Sequence, residues 1–159
     1  MAKITLIVTG GVRAAKQWDL TARLQDDGHH VRCIATKAAL FFLIAYYFRH
    51  PGRLLRFLKV WHSPLGELWG YFFHHARGVA HINAAKWGDV IIMAPATCTS
   101  VSTLVSGVAD NFAMLTVRAA ARDKTVVVAP SMNPEMWFDP FVQKNIDRLN
   151  QTEKYVVVA

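Results

Sequence analysis

Short β-branched and aliphatic runs punctuate this chain, and most are followed by a stretch whose apolar residues recur at helical spacing. Ile4–Thr9 is the first run, closed by Gly10-Gly11, and an Ala/Leu-rich amphipathic stretch then carries on to Asp27. Gly28 stops it, and His30–Ala35 predicts a second strand. Lys37–Arg49 predicts a helix. Residues 50–78 break the pattern with Pro51-Gly52, Pro64, Gly66 and many aromatics, and are read as short helices. Regularity then returns. Val90–Ala94 predicts a buried strand, Ser100–Ala121 a helix broken near Gly107, Thr125–Ala129 a strand, Pro140–Leu149 a helix and Tyr155–Val158 a last strand. Strands that alternate with helices and are nearly all apolar imply an α/β fold, a parallel sheet covered on both faces.

Length changes little in that picture. At 159 residues with 53% apolar content the chain makes one domain with a real core. It shows no internal repeat and no linker. Met1–Gly11 lacks the basic and apolar regions of a signal peptide, and the longest apolar run, Ala38–Phe48, falls short of the ~20 residues that span a bilayer. Cys33 and Cys98 lie far apart and form no metal-ligand spacing. A reduced, cytoplasmic protein without membrane or metal is the expectation.

The charge of +7 does not form a stripe interleaved with stacking aromatics, so nucleic acid is not expected as a partner. Arg49, Arg53, Arg56 and Lys59 instead gather on one segment. An anionic small molecule, an acidic peptide, a partner subunit or plain solvent suits that segment equally well.

In parallel sheets, ligands bind beyond the carboxyl ends of the strands. The loops that matter are therefore Thr9–Val12, Thr36–Ala39, Pro95–Ser100 and Pro130–Trp137. Thr9-Gly10-Gly11 leads into a helix start, whose free N–H groups attract phosphate, and Thr36 adds a hydroxyl. A glycine turn of this kind is as compatible with a plain tight turn. No G-x-G-x-x-G is present, which argues against an ordinary dinucleotide site.

The second half carries sharper signals. His81-Ile82-Asn83-Ala84-Ala85-Lys86-Trp87-Gly88-Asp89 precedes a strand ending in Ala94-Pro95-Ala96-Thr97. Gly107-Val108-Ala109-Asp110-Asn111 and Pro130-Ser131-Met132-Asn133-Pro134-Glu135-Met136-Trp137 follow. In this order and spacing the motifs resemble the homo-oligomeric flavin-containing cysteine decarboxylases, which include phosphopantothenoylcysteine decarboxylases and lantibiotic peptidyl-cysteine decarboxylases. The similarity extends to Thr9–Lys16 and Thr36–Phe42 and omits roughly residues 43–78, a variable basic and aromatic insertion in an otherwise single domain 1–159.

The resemblance implies a flavodoxin-like (Rossmann-type) three-layer sandwich, FMN as cofactor, and a homotrimer that can assemble into a dodecamer. It places the active-site histidine on His81 and the substrate-carboxylate asparagine on Asn133. Flavin contacts fall on Gly10, Gly11, Thr36, Pro95, Ala96, Thr97, Asp110 and Met132. The chemistry is coherent. A cysteine carboxylate loses carbon dioxide only when the carbanion left behind has an electron sink, and oxidation at the carbon bearing sulfur supplies one. Imidazole is suited to taking the thiol proton, and an asparagine amide orients a carboxylate without adding charge.

Each assignment has a plainer rival. Seven histidines are present, so His81 stands out by its motif and not by its type. His74 and His75 read as surface or interface residues. Met132, Met136 and Trp137 all suit core packing, the preferred reading for the latter two, and Cys98 reads as a small buried residue. Asn133, between apolar neighbours after a buried strand, needs a partner. Thr99 stands where the family has asparagine, and Gly11 where serine or threonine is common. Family members continue past the last strand into a substrate-covering segment, with a reducing cysteine in the phosphopantothenoylcysteine enzymes. The sequence to Ala159 holds neither, and Asp139–Asp147 resembles the lantibiotic enzymes. The expectation is therefore oxidative decarboxylation of a peptide's C-terminal cysteine to an aminoenethiol, with phosphopantothenoylcysteine as the alternative small-molecule substrate. Flavin prenyltransferases share the architecture, but their S-G-A-S-G-like opening is absent at Thr9–Val12. A non-catalytic regulatory flavoprotein is the third class.

Overall fold

The apolar runs become a five-stranded, all-parallel sheet of order β2-β1-β3-β4-β5, seen in a computed structural model that describes residues 1–50 and 80–158. The strands are β1 (Lys3–Val8), β2 (His30–Ala35), β3 (Val90–Ala96), β4 (Val126–Pro130) and β5 (Tyr155–Val157). Their registers run without slip from Lys3↔His30 to Val8↔Ala35 and from Ile4↔Val90 to Ile7↔Met93. This is the flavodoxin-like sandwich expected. Ile4, Leu6 and Val8 face one apolar layer with Ala14, Val31 and Ala39, while Ile7, Ile91, Met93, Val126 and Val128 face a larger one. Helices cover both faces, so the central strands β3 and β4 are apolar throughout, while the edge strand β2 alternates over His30-Val31-Arg32-Cys33.

The helical segments differ from expectation in their ends. The stretch after Gly11 begins as a 3-10 turn, Val12–Lys16, before α1 (Gln17–Asp26). α2 spans Lys37–Arg49, so residues 43–49 of the expected insertion continue that helix; residues 51–78, with Arg53, Arg56, Lys59, His74, His75 and the expected short helices, lie outside the described residues. α3 (Ala80–Trp87) was not anticipated, because its eight residues follow directly on the aromatic segment whose pattern is broken. The break near Gly107 is real. α4 (Cys98–Ser106) ends there with Gly107 at φ 79°, the left-handed conformation glycine adopts without strain, and α5 (Phe112–Ala119) begins after the Asn111 cap. A single turn, α6 (Pro134–Trp137), and then α7 (Pro140–Asn150) complete the chain's helices among the described residues.

Part of the positive charge is used inside the fold. Arg118 donates to the carbonyls of Thr103 and Leu104 at the end of α4, and Lys124 to those of Ala85 and Gly88 at the end of α3. Lys154 donates to Val117 (3.0 Å) and Ala120 (2.9 Å) at the end of α5. Helix C-termini present unpaired carbonyls and a partial negative charge, so cations there satisfy both. Burial and the neighbouring Arg118 and Lys124 push the Lys154 pKa below its ordinary value. No helix among the described residues is long and apolar enough to cross a membrane.

Candidate active site

Because β2 lies on one side of β1 and β3 on the other, the loops leaving β1 and β3 diverge and open a crevice at the carboxyl edge of the sheet. Hydrogen bonds close its floor. Thr9, 1% exposed, donates from Oγ1 to the Pro95 carbonyl (2.7 Å), accepts from the Thr97 N–H (3.0 Å), and donates its own N–H to Pro95 O (3.3 Å). Thr36 N–H donates to Val8 O (3.0 Å), and Ser131 N–H to Ala96 O (2.8 Å). The ends of four strands are thereby pinned to one another. The Ala94–Pro95 peptide is cis.

Above this floor lies a cavity of about 400 Å³ lined by Gly10, Thr36, Lys37, Thr97, Ser100 and Asp110, with Ala38, Thr99, Thr103, Asn111 and Met114 completing the wall. Four residues chosen from the sequence, Gly10, Thr36, Thr97 and Asp110, come together here. Gly10 is glycine for a second reason: a Cβ at this position would overlap the Cβ of Ala38 and lie 2.9 Å from its carbonyl carbon. Gly11 is extended (φ −160°), and its Cβ position is 3.4 Å from Thr97 Cγ2, so it borders the cavity without lining it. Pro95 and Ala96 lie within β3 and not in a loop, with Ala96 fully buried; they act on the cavity through their backbone carbonyls. Met132 is half-buried against the larger core and does not line the cavity.

Lys37, Ala38 and Ser100 lie in the loops marked from the sequence, and Asn111 in a quoted motif, without being singled out; Thr103 and Met114 were missed. The spacing of Thr99, Ser100 and Thr103 is a signal: positions three and four apart lie on one helix face. Asn111 is a cap whose Oδ1 accepts from Met114 N–H (3.0 Å), and its Nδ2 donates to Asp110 Oδ1 (2.8 Å), fixing that carboxylate at the rim.

The lining suits a ligand that carries both polar oxygens and an apolar part. Thr36 Oγ1 accepts from Ala39 N–H (3.3 Å), which leaves its own O–H free to donate. Thr97 Oγ1 and Ser100 Oγ share one hydrogen bond (2.9 Å), so one of their two hydroxyl hydrogens is also available. Lys37 adds a cation and Asp110 a carboxylate, while Ala38 and Met114 supply apolar wall. The volume lies in the range of ligand pockets, roughly 300–1,000 Å³.

His81 and Asn133 stand outside this lining. His81 is half-buried at the N-terminal end of α3, and a helix feeding a parallel strand runs antiparallel to it, so that end lies at the same carboxyl edge. Asn133, exposed, caps α6 by accepting from Glu135 N–H (2.9 Å). The cap holds the amide and leaves Nδ2 without a partner among the described residues. A second, more open cavity of about 450 Å³ lies beside it, lined by Cys98, Ser102, Glu135, Met136, Asp139 and Phe141 among others. Met136 is 45% exposed, which overturns its core reading: one turn of helix cannot turn both Met136 and Trp137 inward. Trp137 does pack against the core. Cys98 is half-buried at this cavity, not fully buried.

Residues 1–159 match the Flavoprotein family along their whole length. The chain belongs to the flavoprotein family. Within it, the relatives and solved structures similar to the chain include cysteine decarboxylases. The probable phosphopantothenoylcysteine decarboxylase of Streptococcus mutans is 30% identical over 152 residues, 94% of this chain and 78% of that protein. The bifunctional coenzyme A biosynthesis protein CoaBC of Bacillus subtilis is 34% identical over 148 residues, 93% of this chain. The chain spans only 34% of that relative's length. Among solved structures, a PPC decarboxylase mutant superposes with a TM-score of 0.82 at 24% identity, covering 99% of this chain and 86% of that one. The FMN-dependent cysteine decarboxylase TvaF, from thioviridamide biosynthesis, does so with 0.76 at 26% identity, covering 99% and 90%.

Proposed function

We propose that this protein binds FMN in the cavity between β1 and β3 and decarboxylates a cysteine carboxylate. The observation that carries the reading is the convergence of Gly10, Thr36, Thr97 and Asp110, picked from separate motifs, on one polar-lined cavity at the switch point of the sheet. Thr36, Lys37, Thr97 and Ser100 would hold the cofactor's anionic and polar groups, and Ala38 and Met114 its apolar surface. Bound FMN supplies a hydride acceptor, the electron sink that cysteine itself lacks. The chain's residues do the rest. Asn133, its Oδ1 occupied by the α6 cap, donates from Nδ2 to the substrate carboxylate and holds it without a countercharge that would retain it. His81 removes the thiol proton. Pro95, Ala96 and Met132 support the cofactor from behind, and Gly11 leaves its entrance open.

Two substrates suit this chemistry. Phosphopantothenoylcysteine is favoured by the curated relatives, and a peptide ending in cysteine by the resemblance of Asp139–Asp147 to the lantibiotic enzymes. The span of only about a third of CoaBC removes the end of the sequence as a guide between them. Met136, Phe138 and Phe141 are exposed at 45%, 75% and 78%, a surface that supports assembly into a homo-oligomer, with a trimer as the expected size.

The test is incubation of the purified yellow protein with each substrate, followed by mass spectrometry for loss of carbon dioxide, with or without two hydrogens. His81→Asn is expected to keep the flavin spectrum and abolish the loss. A variant that decarboxylates as well as the parent assigns His81 no catalytic part. A parent that takes up flavin but acts on neither substrate favours a regulatory flavoprotein, and one that takes up no flavin removes the whole reading.

A further inference from the structure

The β1–β3 ladder ends at Ile7↔Met93, and the β3–β4 register shifts between Met93 and Ala96, so the strand that leads into α4 has lost regular pairing where it enters the cavity. A side chain takes over from the ladder at that point. Thr9 is 1% exposed, and its one hydroxyl both donates to Pro95 O (2.7 Å) and accepts from Thr97 N–H (3.0 Å), bracketing Ala96. Thr97 in turn caps α4 by accepting from Ser100 N–H (3.4 Å), and its Oγ1 shares a hydrogen bond with Ser100 Oγ (2.9 Å). Thr97 and Ser100 both line the cavity, whereas Thr9 does not.

We propose that Thr9 is a positioning residue for the cofactor cavity: its buried hydroxyl sets the Pro95–Thr97 backbone and, through it, the Thr97–Ser100 hydroxyl pair that faces the ligand. This rests on the cavity being the FMN site. The physical reason is an accounting of polar groups. With valine at position 9 the shape is kept, but the Thr97 N–H loses its acceptor, Pro95 O keeps only the 3.3 Å bond from Thr9 N–H, and a buried unpaired group costs far more than a hydrogen bond gains. The cheapest relief is for Thr97 to turn towards water, which moves the α4 cap and misplaces both hydroxyls.

The experiment compares the parent, Thr9→Val, Thr9→Ser and Thr9→Ala in two readouts. In the flavin-free protein, amide exchange of the segment 95–103 is expected to quicken by about tenfold in Thr9→Val and Thr9→Ala while α7 is unchanged, and Thr9→Ser restores the parent rate. In the loaded protein, FMN binding is expected to weaken by about tenfold in the same two variants with a shifted flavin absorption band, again restored by serine. Thr9→Ala keeps the test available if valine prevents folding. Exchange and FMN affinity within twofold of the parent in Thr9→Val, or loss of both in Thr9→Ser, overturns the proposal. If the parent binds no FMN but the exchange pattern holds, the FMN reading fails while Thr9 keeps its place in setting the loop.

Discussion

Gly10→Ala is a perturbation whose consequence the geometry fixes closely. The added Cβ would overlap Ala38 Cβ and sit 2.9 Å from Ala38 C and 3.1 Å from Ala38 Cα, so backbone as well as side chain must yield. Ala38 lies in the first turn of α2, exposed on its outer side, and the only direction open is outward, carrying Thr36 and Lys37 with it. Overpacking of this kind costs about 1–3 kcal/mol. For a chain of this length that corresponds to a fall of roughly 2–12 °C in Tm. FMN affinity is expected to fall by at least as large a factor as stability, because three lining residues move. The decisive assay is a double-mutant cycle with Ala38→Gly, read by thermal unfolding and flavin fluorescence. Alone, Ala38→Gly costs up to about 1 kcal/mol in helix propensity. Combined with Gly10→Ala it removes the Cβ–Cβ overlap but not the backbone approach, so the pair is expected to be less destabilised than the sum by about 1 kcal/mol. Strict additivity, or a Gly10→Ala protein as stable and as tightly flavin-binding as the parent, would falsify the packing argument.

Further outcomes follow from other parts of the fold. Cys33 is buried and its thiol pKa is pushed up to about 11, chiefly by burial and against hydrogen bonds from Thr21 and Gln17. Native protein should therefore react with iodoacetamide at Cys98 alone, and modification of Cys33 without unfolding contradicts its placement. A raised thiol pKa means the native state holds its proton after the unfolded chain has released it. The advantage of the parent over Cys33→Ala should thus be full below pH 9 and decline by about 2–3 kcal/mol as pH rises to about 11, measured by urea unfolding. Arg118→Met strips the end of α4 and the Tyr155 hydroxyl of a donor and should lower stability by about 1–3 kcal/mol in the same assay. Asn111→Ala removes the α5 cap and frees Asp110, with an expected loss of about 1 kcal/mol in stability and a measurable drop in FMN affinity; an effect on neither refutes the cap's link to the cavity.

The sheet was legible because burial on both faces writes itself as unbroken runs such as Ile4–Val8 and Val126–Val128, which few other environments tolerate. Helix ends marked by local chemistry were legible as well: Gly107 stops α4 by its positive φ, and Asp139 caps α7 before Pro140. What escaped was decided by tertiary contact. The 3-10 turn at Val12–Lys16 carries no composition of its own, and α3 is short and follows a segment whose aromatic pattern masks its start. The net charge was read from the cluster Arg49–Lys59, yet Arg118, Lys124 and Lys154 spend theirs on helix carbonyls, a use invisible until those helix ends are placed beside them.

The site divides along the same line. Gly10, Thr36 and Thr97 could be chosen because each follows a strand, and topology alone brings strand ends of a parallel sheet to one edge, whereas Asp110, between α4 and α5, came from the resemblance. Met114 could not, since it reaches the cavity only through the direction in which α5 leaves that edge. Thr9 shows the limit most sharply. In sequence it closes an apolar run and opens the Thr9–Val12 loop, but its hydroxyl acquires meaning only when Pro95 and Thr97, 86 and 88 positions away, close on it from both sides. A resemblance can single out residues that touch a ligand, because motifs are defined by them; the residues that hold those in place are found by asking where each buried polar atom sends its hydrogen bond.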